Sequence, residues 1–241
     1  MLNDSWTQLS SFPGDGRNHP AMVNIGNKIF VGCGSNDASL GLSDWWEYDI
    51  TNDTWTQKSD FPSNGRHHPY FFGIDNYGYV GFGHGSTAGQ GSNPNASVFI
   101  YNDLYRYDPS NDSWQIMSQF PSQGRVAGTQ FSYQGKGYVL SGDGDNHYPL
   151  GTSEFWEYDP ITDSWAQLPS HPGNSIWAPG NFIIGCNVYF LLGANKWTYP
   201  FTYPKNIYKY RLGSDCGCTC LLYTSDAADE GLGVDLGGRR I

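Results

Sequence analysis

A tryptophan that recurs at a nearly constant interval is the feature of this sequence that most restricts its fold. Trp6, Trp55, Trp114 and Trp165 are 49, 59 and 51 residues apart. Each is followed by a similar segment, which reads FPGDGRNHPAMV, FPSNGRHHPYFF, FPSQGRVAGTQF or HPGNSIWAPGNF. An interval of about fifty residues indicates a repeat architecture, in which each copy buries its apolar surface against the next copy.

Each copy also contains segments typical of β-strands. The runs KIFVGCG, YGYVGFG, KGYVLSGDG and NVYFLLG are aromatic and β-branched and reach a glycine, as second strands of a blade should. The runs WWEYDI, LYRYDP, FWEYDP and IYKYRL alternate aromatic with charged residues, which is the pattern of half-buried third strands. In three copies a Tyr and a Trp seven residues apart flank a turn rich in Asn and Asp. We therefore predict an all-β propeller with four recognisable four-stranded blades.

The predicted repeats span about residues 12–55, 61–114, 120–165 and 171–212. A further strand, Trp6 to Leu9, precedes the first repeat, and Gly217 stands where the last repeat would have its Trp. Two interpretations follow. Either the first strand completes the last blade and closes a four-bladed ring, or the chain is an excerpt of a larger ring; we favour the excerpt.

Taken together, the glycine-ended second strand, the Tyr and Trp seven residues apart and the fifty-residue interval resemble the kelch-repeat β-propeller family. The resemblance covers about residues 4 to 212. The sequence of the repeats is similar to that of bacterial secreted kelch proteins and galactose-oxidase-like propellers. The resemblance implies protein or carbohydrate binding and, as an alternative, a carbohydrate-active enzyme. Neither Cys33 nor Cys186 stands with plausible copper ligands, so we predict no cofactor.

The end of the chain, residues 213–241, is predicted to be a non-native or disordered tail. The strings CLLYTSDAADE and VDLGGRRI within it have no pattern of strand, helix or turn. About residues 219–241 resemble a translated transposase-type sequencing adapter, and we exclude them from fold reasoning.

Charge and hydropathy exclude two classes of partner. The formal net charge is −10 and no Lys/Arg stripe is present, so a nucleic-acid partner is not expected. The longest apolar run, from Phe182 to Leu192, is interrupted by polar residues and glycine and is too short for a membrane span. We predict an extracellular or cell-surface location from the resemblance, although no signal peptide precedes Trp6.

The cysteines do not suggest a metal site. The run CGCTC at 216–220 lacks the two-residue spacer of a zinc knuckle. Cys33 and Cys186 are isolated in the sequence and are predicted to be small buried thiols.

Propellers bind ligands on loops at the mouth of the central channel, because a rigid scaffold lets loops of successive blades converge. One set of candidates leads into the first strands and comprises Arg17, His19, Arg66, His67, His68 and Arg125. The other set is the loops between second and third strands, at 36–43, 84–102, 143–153 and 194–206.

His19 and His68 occupy the same repeat position, so they should lie side by side on adjacent blades. A binding pocket, a metal site or a simple bracing pair are the alternatives, and we favour bracing because the other blades have Ala127 and Ala178 there. For Arg17, Arg66 and Arg125 we favour a structural role over ligand binding, because a guanidinium can tie together carbonyl groups of neighbouring blades.

Two loops carry further candidates. Asp143, Asp145, His147 and Glu154 have a spacing like that of a calcium loop, but Tyr148 replaces the required Gly. We favour a polar, well-capped loop over a calcium site, and Asp143, Asp145 and His147 remain candidate ligand-binding residues. Trp197, Tyr199, Phe201 and Tyr203 alternate in a loop stiffened by proline. They suit stacking on sugar rings or, equally, a lid packed on the last blade.

No hydrolase elbow, zinc motif or phosphate loop is present. The sequence therefore favours a binding module that recognises a protein or glycan. The alternative is a sugar or sugar-acid oxidase or epimerase, with His19, His68 and Arg66 in its pocket.

Overall fold

The computed structural model describes residues 5–39, 41–86, 98–144 and 147–213. Within these residues the chain forms seventeen β-strands and no α-helix. No helix in this part of the chain is therefore long and apolar enough to cross a membrane. The predicted tail lies outside the described residues from position 214 onward.

The strands form four antiparallel sheets that follow one another along the chain, and we call each sheet a blade. Blade 1 contains β1 (Ala21–Ile25), β2 (Lys28–Gly32), β3 (Trp45–Asp49) and β4 (Thr54–Lys58). Blade 2 contains β5 (Tyr70–Ile74), β6 (Tyr77–Gly81), β9 (Leu104–Asp108) and β10 (Ser113–Ile116), and the small hairpin of β7 (His84–Ser86) and β8 (Val98–Ile100) lies between β6 and β9. Blade 3 contains β11 (Thr129–Tyr133), β12 (Lys136–Leu140), β13 (Ser153–Asp159) and β14 (Ser164–His171). Blade 4 contains β15 (Gly180–Ile184), β16 (Asn187–Leu191) and β17 (Ile207–Arg211).

The blades are arranged around their first strands. β1 packs against β5, β5 against β11, and β11 against β15. The hydrophobic core lies between neighbouring blades: one cluster joins blades 1 and 2, a second joins blades 2 and 3, and a third joins blades 3 and 4. Trp45 is fully buried between blades 1 and 2. A sheet with two apolar faces is stable only when both are covered, which explains the stacking.

The repeated Tyr and Trp close each blade at its outer edge. Tyr107 pairs with Trp114 across β9 and β10, and its hydroxyl donates a hydrogen bond of 2.7 Å to Asp112. The Trp114 indole donates to the Ser59 carbonyl of the segment that arrives from blade 1. The equivalent pairs in blades 1 and 3 make the same two bonds. The seven-residue spacing therefore ties each blade to the preceding linker.

Two features differ from the sequence predictions. The segment from Trp6 to Leu9 is not a strand, and Trp6 is fully exposed, because no strand among the described residues pairs with it. Cys186 lies in the β15–β16 turn as predicted, but it is disulfide-bonded, so the prediction of a free thiol there was wrong. Cys33 is a free, fully buried thiol.

Candidate functional site

The two predicted sets of loops meet at one end of the blades. In every blade a residue before the first strand pairs through the backbone with a residue after the second strand; the pairs are Asn18–Ser35, His67–His84, Val126–Asp143 and Trp177–Ala194. The following position, occupied by His19, His68, Ala127 or Ala178, has a positive φ of 48° to 52° in all four blades. The fold itself imposes this conformation, because alanine adopts it as well as histidine does.

His19 and His68 lie side by side, as their shared repeat position predicted. Their rings stack with centroids 3.7 Å apart, and the His68 N–H donates to the His19 carbonyl at 3.2 Å. Ala178 and Ala127 make the same backbone bond at 2.7 Å. The bond thus links blade 1 to blade 2 and blade 3 to blade 4, whereas the stacked imidazoles are specific to blades 1 and 2.

Five of the six histidines gather at this end of the propeller, and we call His19, His67, His68, His84 and His147 the histidine cluster. The ring centroids of His67 and His84 are 3.4 Å apart. The rings lie this close because the two residues form a backbone pair. The ring of His147 from blade 3 lies 4.5 Å from that of His84. Loops of three blades therefore supply one group of imidazoles.

Blade 4 adds an aromatic ring and a cation to the site. The Trp177 indole lies 5.5 Å from the rings of both His68 and His147. The Lys196 ammonium group lies 4.2 Å from the Trp177 ring and pairs with the carboxylate of Asp143. The contact between His68 and Trp177 joins blade 2 to blade 4, so the site spans the mouth between the blades.

Burial keeps the imidazoles of His68, His84 and His147 neutral near pH 7. Burial, helped by His19, His67 and His147, lowers the pKa of His68 to about 3. Burial and the neighbouring imidazoles lower the pKa of His84 to about 2. The pKa of His147 is also lowered, by burial and then by Lys196. Burial raises the pKa of Asp143 despite its bond to Lys196. A low dielectric disfavours the charged form of each group.

Comparison with solved structures identifies the architecture. The structure titled YjhT matches with a TM-score of 0.63 and 20% identity, over 86% of this chain and 69% of that one. An F-box/kelch-repeat protein of Arabidopsis thaliana is 29% identical over 96 residues, which are 39% of this chain and 24% of the plant protein. The fold is a kelch-type β-propeller.

A second curated relative of this kelch propeller carries an enzyme name. The N-acetylneuraminate epimerase of Yersinia enterocolitica is 29% identical over 94 residues, which are 37% of this chain and 24% of the epimerase. The chain thus matches about a quarter of the length of each of these curated relatives. No protein-family model matches the chain.

The three candidate arginines of the kelch propeller lie away from the histidine cluster's open surface. Arg17, Arg66 and Arg125 are almost completely buried and pair with Asp44, Asp103 and Glu154 respectively. Each guanidinium also stacks on the Phe of its own repeat, Phe12, Phe61 or Phe120. The expected bonds to carbonyl groups exist, but Arg17 bonds Cys33 and Arg66 bonds Phe82 within the same blade. We assign these arginines a structural role.

These ion pairs predict how stability depends on pH. Burial alone would raise the pKa of Asp44 and of Glu154, but hydrogen bonds from Arg17 and Trp46, and from Arg125 and Trp156, outweigh burial and lower both. A carboxylate with a depressed folded-state pKa stabilises the fold above its unfolded pKa, and this contribution is lost as the pH falls through the folded value.

We therefore expect the free energy of unfolding to fall between about pH 5 and pH 3. Urea midpoints across this range measure the effect. Asp44→Asn removes one of the carboxylates and should flatten the slope. A midpoint that does not change over this range would contradict the ion-pair assignment.

The remaining predicted residues divide between the site and other surfaces. His147 joins the histidine cluster and Asp143 bonds Lys196, whereas Glu154 bonds Arg125, so these groups do not assemble around one calcium position. Asp145 lies outside the described residues. Trp197 and Tyr199 are 53% and 91% exposed, which agrees with a contact surface more than with a packed lid.

Sequence reasoning missed His84, Trp177 and Lys196 as individual site residues. His84 and Lys196 lie in loops that were predicted to bind, but the loops were not resolved to single positions. The repeat position of His84 could have identified it, because residues at this position pair through the backbone with the position of His67. Trp177 stands at the same repeat position as His67, so the alignment of the copies contained that information.

Proposed function

We propose that this kelch propeller is a non-catalytic binding module that recognises a glycan or protein ligand through the loops at the mouth of its blades. The observation that carries the proposal is that side chains of all four blades meet there: His19, His68, His147 and Trp177 are linked by ring contacts. Convergent polar groups around an aromatic ring on a rigid scaffold are typical of ligand sites.

A glycan is the ligand that fits these groups best. An open, mostly apolar depression of ≈ 450 Å³ adjoins the histidine cluster and is lined partly by Trp177, Leu192 and Tyr203. An aromatic surface of this kind stacks on the apolar face of a sugar ring. Neutral imidazoles both donate and accept hydrogen bonds, as sugar hydroxyl groups require.

The test is a glycan array probed with the chain in a chelating buffer. We expect Trp177→Ala and His68→Ala to weaken binding of the best glycan at least about tenfold, equivalent to roughly 1.4 kcal/mol. Ile161→Ala, at an exposed turn far along the outer edge, is the control and should bind like the unaltered chain. Absence of any glycan signal, or equal binding by all variants, would refute the assignment.

A second candidate function is catalysis on a sugar or sugar acid, which the relative named N-acetylneuraminate epimerase favours. A general base works best when its pKa is near the working pH, and the pKa values of His68 and His84 are about 3 and about 2. The predicted catalytic partner Arg66 has no exposed side-chain surface. An NMR time course with N-acetylneuraminate tests this alternative; interconversion faster than in buffer would favour the enzyme.

We further propose an extracellular or cell-surface location. The resemblance of the repeats to those of bacterial secreted kelch proteins supports it. The test is to locate the native protein by fractionation; recovery only from the cytosol would overturn the proposal.

A further inference from the structure

Three imidazoles of blade 2 meet at the mouth of the propeller. His67, His68 and His84 each offer a ring nitrogen, and the three nitrogens lie within 4.8 Å of one another. We propose that these residues bind a divalent transition-metal ion, and Zn²⁺ is the ion used to test this. The proposal is independent of the glycan site, because metal uptake is measured without any sugar.

The backbone holds the three ligands in place. His67 and His84 exchange two hydrogen bonds, His67 N–H to the His84 carbonyl at 2.9 Å and His84 N–H to the His67 carbonyl at 3.0 Å. The equivalent pairs of the other blades are Asn18–Ser35, Val126–Asp143 and Trp177–Ala194. Only blade 2 therefore has imidazoles at both members of the pair, and His68 follows directly in the same loop. A site on rigid backbone loses little entropy when it binds an ion.

Unpartnered ring nitrogens are a second observation at this place in the described part of the chain. Among the described residues, His84 Nε2 and His68 Nδ1 are buried without a hydrogen bond, and the His84 residue is 8% exposed. A buried polar atom without a partner destabilises the fold. Coordination of a metal ion by these nitrogens would remove that destabilisation.

The ligand chemistry restricts which class of metal ion can bind. Imidazole nitrogen suits Zn²⁺, Cu²⁺ and Ni²⁺, whereas Mg²⁺ and Ca²⁺ prefer oxygen. Zinc–nitrogen bonds of about 2.0–2.1 Å in a tetrahedral site hold the nitrogens about 3.3 Å apart. Binding therefore requires the three nitrogens, which lie within 4.8 Å of one another, to approach to about that separation. Three imidazoles leave the fourth position of a tetrahedral ion open to water or to a ligand.

The experiment titrates chelator-treated, tag-free full chain with ZnCl₂ by calorimetry and measures bound zinc by mass spectrometry. We expect one Zn²⁺ per chain and no uptake of Mg²⁺ or Ca²⁺. His67→Gln, His68→Gln and His84→Gln should each weaken zinc binding at least about tenfold, a loss seen even for outer-shell partners. Circular dichroism establishes that each variant is folded.

The matched control is His171→Gln. His171 is also partly buried and contacts Phe190 and Tyr208 in blade 4, so it tests whether any histidine affects uptake. The cysteines at 216, 218 and 220 are unchanged in every variant, so thiol binding cannot cause a difference among them.

Electron paramagnetic resonance of the Cu²⁺-loaded unaltered chain gives a second measurement that does not depend on variants. Coupling to several imidazole nitrogens would support the site. Zinc binding that is absent, or equal in the unaltered chain and in the folded histidine variants, would overturn it.

Discussion

Gly142→Ala should reduce the free energy of unfolding by about 3 to 5 kcal/mol, because backbone strain and overpacking each cost about 1–3 kcal/mol. Gly142 has a φ of +100°, and an added Cβ would lie 2.3 Å from the Tyr70 hydroxyl and 2.7 Å from the Val126 carbonyl. That hydroxyl donates to the Ser141 carbonyl and accepts from the Gly128 N–H. The substitution would therefore disrupt the contact that locks blade 2 against blade 3.

The control for this prediction is Gly173→Ala. Gly173 has a similar φ of +91°, but an added Cβ would meet no atom within 4 Å. Only backbone strain remains there, and we expect a loss of about 1–2 kcal/mol. Urea denaturation followed by tryptophan fluorescence measures both variants. Equal losses would show that the Tyr70 contact contributes nothing beyond strain.

Arg66→Ala should cost about 3 to 5 kcal/mol, the usual loss when one partner of a buried ion pair is removed. The Arg66 side chain has no exposed surface, and it bonds both carboxylate oxygens of Asp103, at 2.5 and 3.0 Å, and the Phe82 carbonyl at 3.1 Å. Its removal breaks these three bonds, leaves the Asp103 carboxylate with a 3.5 Å bond from the Ser63 hydroxyl, and also removes stacking on the Phe61 ring.

The matched control is Lys136→Ala. Lys136 and Glu157 are also 2.5 Å apart, but 37% of the lysine side chain is exposed. Exposed pairs contribute about 0–1 kcal/mol, so a small loss is expected by the same urea assay. Arg66→Lys should recover only part of the loss, because an ammonium group does not bond both carboxylate oxygens at once. Similar losses for Arg66→Ala and Lys136→Ala would contradict the role of burial.

Much of the fold follows from the sequence because the repeat is built from local patterns. Tyr107 and Trp114 are joined by a turn whose residues favour a hairpin, so their pairing depends on few long-range contacts. Three copies carry this pattern and the fourth repeats the second- and third-strand segments, so the sequence predicts four sheets, and sheets with two apolar faces must stack. The predicted strand from Trp6 to Leu9 was wrong, because a strand forms there only when a neighbouring strand pairs with it.

The candidate site, unlike the fold, could be predicted from the sequence only in part. The repeat alignment alone was enough to place His19 beside His68, because equal positions in adjacent blades are neighbours in space. It was not enough to bring His147 to His84, or Trp177 to His68, because those contacts depend on how far each loop reaches across the mouth.

The sequence by itself determined the blade architecture, since strand periodicity and turn chemistry act over a few residues and repeat. Only the tertiary structure decided which side chains lie together at the mouth of the blades and which arginines form buried ion pairs. Those outcomes depend on distances between residues far apart in the chain, which are set by the angle between blades. Burial in that shared space lowers the pKa of His68 and of His84, so both imidazoles stay neutral well below pH 6.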